Sequence, residues 1–146
     1  MKTLHRILVP VSHDTASEES LRLACLLARQ SKAKVYVVYV IEVNRSLPLD
    51  AEIPSDNAES EVVLTRAEGI AADEDVEIET DLLQARDVAT AVIEEALERE
   101  VDLVIMGTDY KRRFGFFHIS DTVFHIFRDS PCRVILLQEP PPKAKP

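Results

Sequence analysis

Cysteine is scarce and poorly spaced for chemistry. Cys25 and Cys132 form no CxxC pair and each stands among apolar or small residues, which excludes a disulfide scaffold and predicts two buried free thiols. Long hydrophobic runs are missing too. The longest, VYVVYVI from Val35 to Ile41, falls far short of the ~20 residues a membrane-spanning helix needs. The opening MKTLHRILVPVSHD has a basic start, but its apolar run is short and holds a proline. No signal peptide or membrane insertion is therefore expected, and a cytoplasmic location is. Positive charge is in deficit: 17 Lys and Arg stand against 26 Asp and Glu, a net charge of −9, which excludes a nucleic-acid-binding surface. Lys111, Arg112 and Arg113 are the local exception. His5, His13, His118 and His125 lack HxxxH spacing, so no metal site is expected. Ser12-His13-Asp14 has the residue types of a hydrolytic triad, yet consecutive residues cannot aim their side chains at one another in a relay, and there is no GxSxG elbow. An enzyme is not expected.

What is present reads as an α/β domain. Hydrophobic residues make up 46% and charged residues 29%, ordinary for a globular chain of a size that holds its own core. Ile7–Val11, Val35–Ile41, Leu103–Met106 and Val134–Leu137 are apolar runs that predict buried strands. Val76, Ile78, Thr80 and Leu82 alternate with acids, the pattern of an edge strand with one wet face. Between them lie four predicted helices. The first covers Ser17–Gln30, with Leu21, Ala24, Leu27 and Ala28 at helical spacing and a Thr15/Glu18 capping box. The second spans Ala58–Ala71. The third, Val88–Arg99, is capped by Asp87 and should bury Val88, Ala91, Val92 and Leu97, and the fourth runs from Ser120 to Arg128. Residues 44–57 read as a long surface loop and residues 139–146 as a proline-rich extended tail after a domain of residues 1–138. Strict alternation of strand and helix predicts an open five-stranded parallel sheet with helices on both faces. With strand order 3-2-1-4-5, the ligand crevice falls between Ser12–Thr15 and Gly107–Ile119, where His13 and His118 could also meet.

The front segment ILVPVSHDTASEESLRLACLLA and the closing segments VDLVIMG and SPCRVILL resemble the universal stress protein family over Arg6 to Leu137. The resemblance implies a Rossmann-like fold of the adenine nucleotide alpha hydrolase type. It also implies a crevice formed by Pro10, Val11, Ser12, Val40, Met106, Gly107, Arg112, Ser120, Asp121 and Thr122. Nucleotide-binding members carry a GxxG followed at a distance by Gly-Ser or Gly-Thr, which wraps the phosphates of ATP or AMP. Gly107 matches the first glycine, Tyr110 replaces the second, Ser120 and Asp121 stand at the later pair, and Ser12 aligns with the family's adenosine-contacting aspartate. Tyrosine does not readily take the positive φ that lets a backbone cradle phosphate, and Asp121 in the first turn of a helix repels an anion there. ATP or AMP in the family's pose is therefore disfavoured and no cofactor is assigned. Gly115 as a hinge and Thr122 as a hydroxyl donor are the rescue. With three glycines in the chain, the competing expectation is that Phe114, Phe116 and Phe117 fill the crevice or contact a partner.

These readings converge on a non-catalytic regulatory or stress-response module that acts through dimerisation and partner contacts. The resemblance implies a homodimer through the apolar edge strand Val134–Leu137, an uncovered edge being a template for pairing. One alternative is a sensor of AMP, ATP or another anionic metabolite, held by Lys111-Arg112-Arg113. Another is a soluble regulatory domain of a membrane transporter, for which the proline-rich tail would be a linker.

Overall fold

The computed structural model describes residues 3–109, 112–113, 116–117 and 119–140, the two short pairs by their backbone. In chain order the elements are β1 (Arg6–Pro10), α1 (Thr15–Ser31), β2 (Lys34–Glu42), α2 (Pro54–Asp73), β3 (Ile78–Ala85), α3 (Val88–Glu98), β4 (Leu103–Asp109), β5 (Arg112–Arg113), β6 (Phe116–Phe117), α4 (Asp121–Asp129) and β7 (Arg133–Glu139). The large sheet runs β3-β2-β1-β4-β7, all parallel, which is the order expected for five strands alternating with helices. Leu8 stands between Tyr36 of β2 and Val104 of β4, so β1 is the centre of the sheet. β5 and β6 form a separate antiparallel ribbon that the sequence pattern did not suggest.

Alternation along the central strands divides the core in two. Ile7, Val9, Val35, Val37, Leu103 and Ile105 face α1 and α2. Leu8, Tyr36, Val38, Val104 and Met106 face α3 and α4. Both faces are apolar because both are covered by helices, which is why these strands read as continuous hydrophobic runs.

Several boundaries differ from the sequence reading, each for a local reason. The α1 cap is Asp14, whose carboxylate accepts from Ser17 N at 2.9 Å, and Thr15 already lies inside the helix. α2 starts at Pro54, whose fixed φ suits a first helical turn, so the loop expected over 44–57 ends sooner. Leu97 is 64% exposed: the buried stripe of α3 runs through Ala89, Val92 and Ala96, and Leu97 lies about 100° further round. In β3 the alternation drifts, leaving Leu82 exposed at the sheet's edge. Cys25 is buried and Cys132 only half-buried, and burial pushes both thiols above their ordinary pKa. Among the described residues no helix is long and apolar enough to cross a membrane.

Candidate functional site

The carboxyl ends of β1 and β4 lie side by side at the switch point, and the first feature there is a close approach of strand to helix. A Cβ built on Gly107 would fall 2.8 Å from Ala16 Cβ, and nearer still to the Ala16 carbonyl. Glycine is required at this position because α1 begins directly against β4. The glycine that the resemblance placed in a phosphate loop thus has a packing duty as well.

The start of α1 is closed by side chains of its own chain. Asp109, at the end of β4, accepts from Ala16 N at 3.2 Å. Asp14 accepts from Ser17 N at 2.9 Å and from Ser17 Oγ at 2.5 Å, and that hydroxyl in turn accepts from Ser12 N at 2.9 Å. Helix N-termini attract anions through free N–H groups and the helix dipole. Here two carboxylates already take that place. Ser120 caps α4 by accepting from Val123 N at 3.3 Å, with Asp121 and Thr122 exposed in the following turn.

The remaining crevice residues take mixed positions. Pro10 is half-buried at the end of β1 and Val11 is buried against α1 and α2. Ser12 is exposed. Val40 and Met106 belong to the core under α3 and α4. Arg112 lies in β5. Readings that rest on Tyr110, Lys111, Phe114, Gly115 and His118, or on the side chains of Arg112, Arg113, Phe116 and Phe117, lie outside the described residues, as does the tail beyond residue 140.

On the α1–α2 side of the same loop the structure assembles a group that sequence reasoning missed. His13 Nε2 lies 3.2 Å from Glu59 Oε2 and 3.3 Å from the Tyr39 hydroxyl, with the rings edge to face at 6.0 Å. Burial raises the Tyr39 pKa, helped by the nearby negative charge of Glu59 and Asp56. Beside it opens a cavity of about 170 Å³ floored by Val11, Leu21, Val63, Ala67 and Ile70. Glu18 and Arg66 pair at its mouth, and the hydrogen bond from Arg66 holds the Glu18 carboxyl below its usual range. Nothing local signals these contacts, since Glu59 is 46 positions from His13. Asp109 could have been read as an acid two residues past the crevice glycine, but its partner lies 93 positions away. Among the described residues no group of three or more His, Cys, Asp or Glu is arranged to hold a metal.

Comparison with known proteins adds the following. The model of the universal stress protein family matches residues 3–138. A universal stress protein of Methanocaldococcus jannaschii is 25% identical over 141 residues, covering 92% of this chain and 82% of that one. A solved universal stress protein from Archaeoglobus fulgidus superposes with a TM-score of 0.74 at 23% identity, over 90% of this chain and 92% of that chain. One from the same organism in complex with dAMP gives 0.73 at 22% identity, over 92% and 98%. The last two likenesses bear on the fold.

Proposed function

The chain belongs to the universal stress protein family, and from that premise we propose that it is a cytoplasmic, non-catalytic regulatory module of the stress response that acts by pairing with a second copy and with protein partners. The observation that carries this reading is the Asp109 carboxylate on Ala16 N, beside Asp14 on Ser17 N. Two donors at the start of α1, Ala16 N and Ser17 N, are taken inside the chain, and a phosphate brought there would meet two negative charges. Asp121 adds a third carboxylate in the first turn of α4. The outer edge of β7, with Val134 to Leu137 along it, has no strand beside it among the described residues, and a free apolar edge favours pairing.

A second reading, an adenine-nucleotide sensor, is favoured by the dAMP complex of the Archaeoglobus fulgidus relative. One experiment separates the two: sedimentation equilibrium of the purified chain at roughly ten to fifty times 1 μM, repeated with ATP, with titration calorimetry of the same sample. A dimer that binds ATP more weakly than micromolar is expected. Micromolar ATP binding would select the sensor, and a monomer would remove the pairing role.

A further inference from the structure

α1 and α2 cover the same face of the sheet, and the cavity between them is bounded by a helical stripe from each: Glu18 and Leu21 on α1, and Val63, Arg66, Ala67 and Ile70 on α2. Leu21, Ala67 and Ile70 are buried in the core beneath, and Val63 packs against it. Ala67 is the smallest of the apolar four, and a hollow of about 170 Å³ remains there. An apolar cavity of about 150 Å³ holds benzene. One branched aliphatic side chain therefore fits.

The polar groups around this hollow differ in what they have left to offer. Asp14 accepts from Ser17 N and Oγ, Ser17 Oγ accepts from Ser12 N, and His13 meets Glu59 and Tyr39. Among the described residues Glu18 and Arg66 hold only each other, with Arg66 Nη2 donating to Glu18 Oε2 at 3.0 Å and Nε to Oε1. A guanidinium has more N–H groups, and a carboxylate more acceptor sites, than this pair uses. Both side chains also reach water, Arg66 at 62% exposure and Glu18 at 30%, so moving them apart costs little. The mouth of an apolar cavity is thus flanked by one cation and one anion, each with bonding capacity to spare.

We propose that this cavity binds a free α-amino acid with a leucine-sized apolar side chain, the side chain in the hollow, the carboxylate on the open N–H groups of Arg66 and the ammonium on Glu18. Only a zwitterion serves both ends of the pair. An apolar carboxylate would bring its charge beside Glu18 and Asp14, and an apolar amine would bring its charge beside Arg66. A polar side chain would find no partner against Val63, Ala67 and Ile70. The cavity lies on the α1–α2 face, whereas Val40 and Met106, which the family resemblance assigns to the nucleotide crevice, pack on the opposite face. The proposal therefore stands apart from both pairing and nucleotide binding.

The test is a titration of the full chain with L-leucine followed in methyl NMR spectra, with glycine, isocaproate and isoamylamine as controls that lack the side chain, the ammonium and the carboxylate. Leucine should shift the methyl signals of Leu21, Val63 and Ile70 saturably, with a Kd on the order of 1 mM for so small a ligand at an open-mouthed site. Isocaproate and isoamylamine should each bind about tenfold more weakly, having lost one charge-assisted contact, and glycine should leave these methyls unmoved. Arg66→Met and Glu18→Gln should weaken leucine by a similar factor without lowering the melting temperature, because the pair is exposed. Ala67→Leu, which fills the hollow, should abolish the shifts. No saturable response to leucine up to roughly 20 mM would overturn the site. Isocaproate or isoamylamine binding as well as leucine would overturn zwitterion recognition, and leucine binding that survives Arg66→Met and Glu18→Gln unchanged would show that the pair does not hold it.

Discussion

Gly107 has only a hydrogen where Ala16 comes down from the start of α1, so Gly107→Ala must push the helix off the sheet or bend β4. Neighbours made of backbone cannot rotate out of the way. Overpacking of this kind should cost about 2 kcal/mol, read as a lower urea midpoint, and an unchanged midpoint would mean that the helix start yields freely. Asp102 makes a different contribution, just before β4. Its Oδ2 accepts from His5 N at 2.7 Å and from Arg6 N at 2.8 Å, tying the approach to β4 to the start of β1. Burial pushes its carboxyl pKa up, but the two backbone donors, with the charges of His5 and Arg6, outweigh that and hold it below the ordinary value. A carboxyl whose folded pKa is depressed gives stability that is present above its unfolded pKa of about 3.9 and lost as the pH falls through the folded value. Asp102→Asn keeps an oxygen for the donors and removes the titration. Urea midpoints measured across the acid range should therefore fall less steeply for the variant, and parallel curves would remove Asp102 from the acid transition.

The loop between β2 and α2 shows how side chains on one element can order another. Arg86 Nη1 donates to Asn44 O at 2.7 Å and Leu47 O at 2.8 Å, and Gln84 Nε2 donates to Leu49 O at 3.1 Å and Ala51 O at 2.8 Å. Replacing Arg86 by Met should release the loop while leaving the core alone. Hydrogen exchange at residues 44–51 should quicken severalfold with global stability changed by no more than ~0.5 kcal/mol, and unaltered exchange there would mean that local turns suffice. Such contacts explain what the sequence could and could not disclose. The strands were legible because burial on both faces makes runs such as Val35–Ile41 apolar throughout, and the order followed from their alternation with helices. Asp87 as a cap was legible because its partner, Thr90, is local. The held loop, the closed α1 terminus and the His13–Tyr39–Glu59 group depend on residues far apart in the chain, and no local pattern encodes them. Gly107 was found by position, but its tight packing on Ala16 became visible only when the helix was placed over the strand.

The molecule as a whole carries a net charge of −9, and much of its described positive charge is committed internally. Arg22 and Arg29 reach Glu74, Arg66 reaches Glu18, Arg128 reaches Asp129, and Arg99 serves Glu79, Asp81 and Glu95. At the crevice end, Asp14 and Asp109 lie on the start of α1 and Asp121 on the start of α4. Among the described residues the charge there is negative, so each later phosphate of an entering nucleotide adds charge of the sign these carboxylates already carry. Affinity should therefore fall from AMP to ADP to ATP, by roughly tenfold across the series if the added phosphates sit a few ångströms from these carboxylates with water between. Salt should narrow the gap, since the repulsion is screened over about 8 Å at physiological ionic strength. Asp109→Asn keeps an oxygen for Ala16 N while removing a charge, so it should favour ATP more than AMP. Calorimetry on the three nucleotides, at low and physiological salt, with and without Asp109→Asn, checks both points. ATP binding tighter than AMP, and weakening as salt rises, would show the phosphates meeting net positive charge, and would assign them to Lys111, Arg112 and Arg113 in place of a crevice closed by carboxylates.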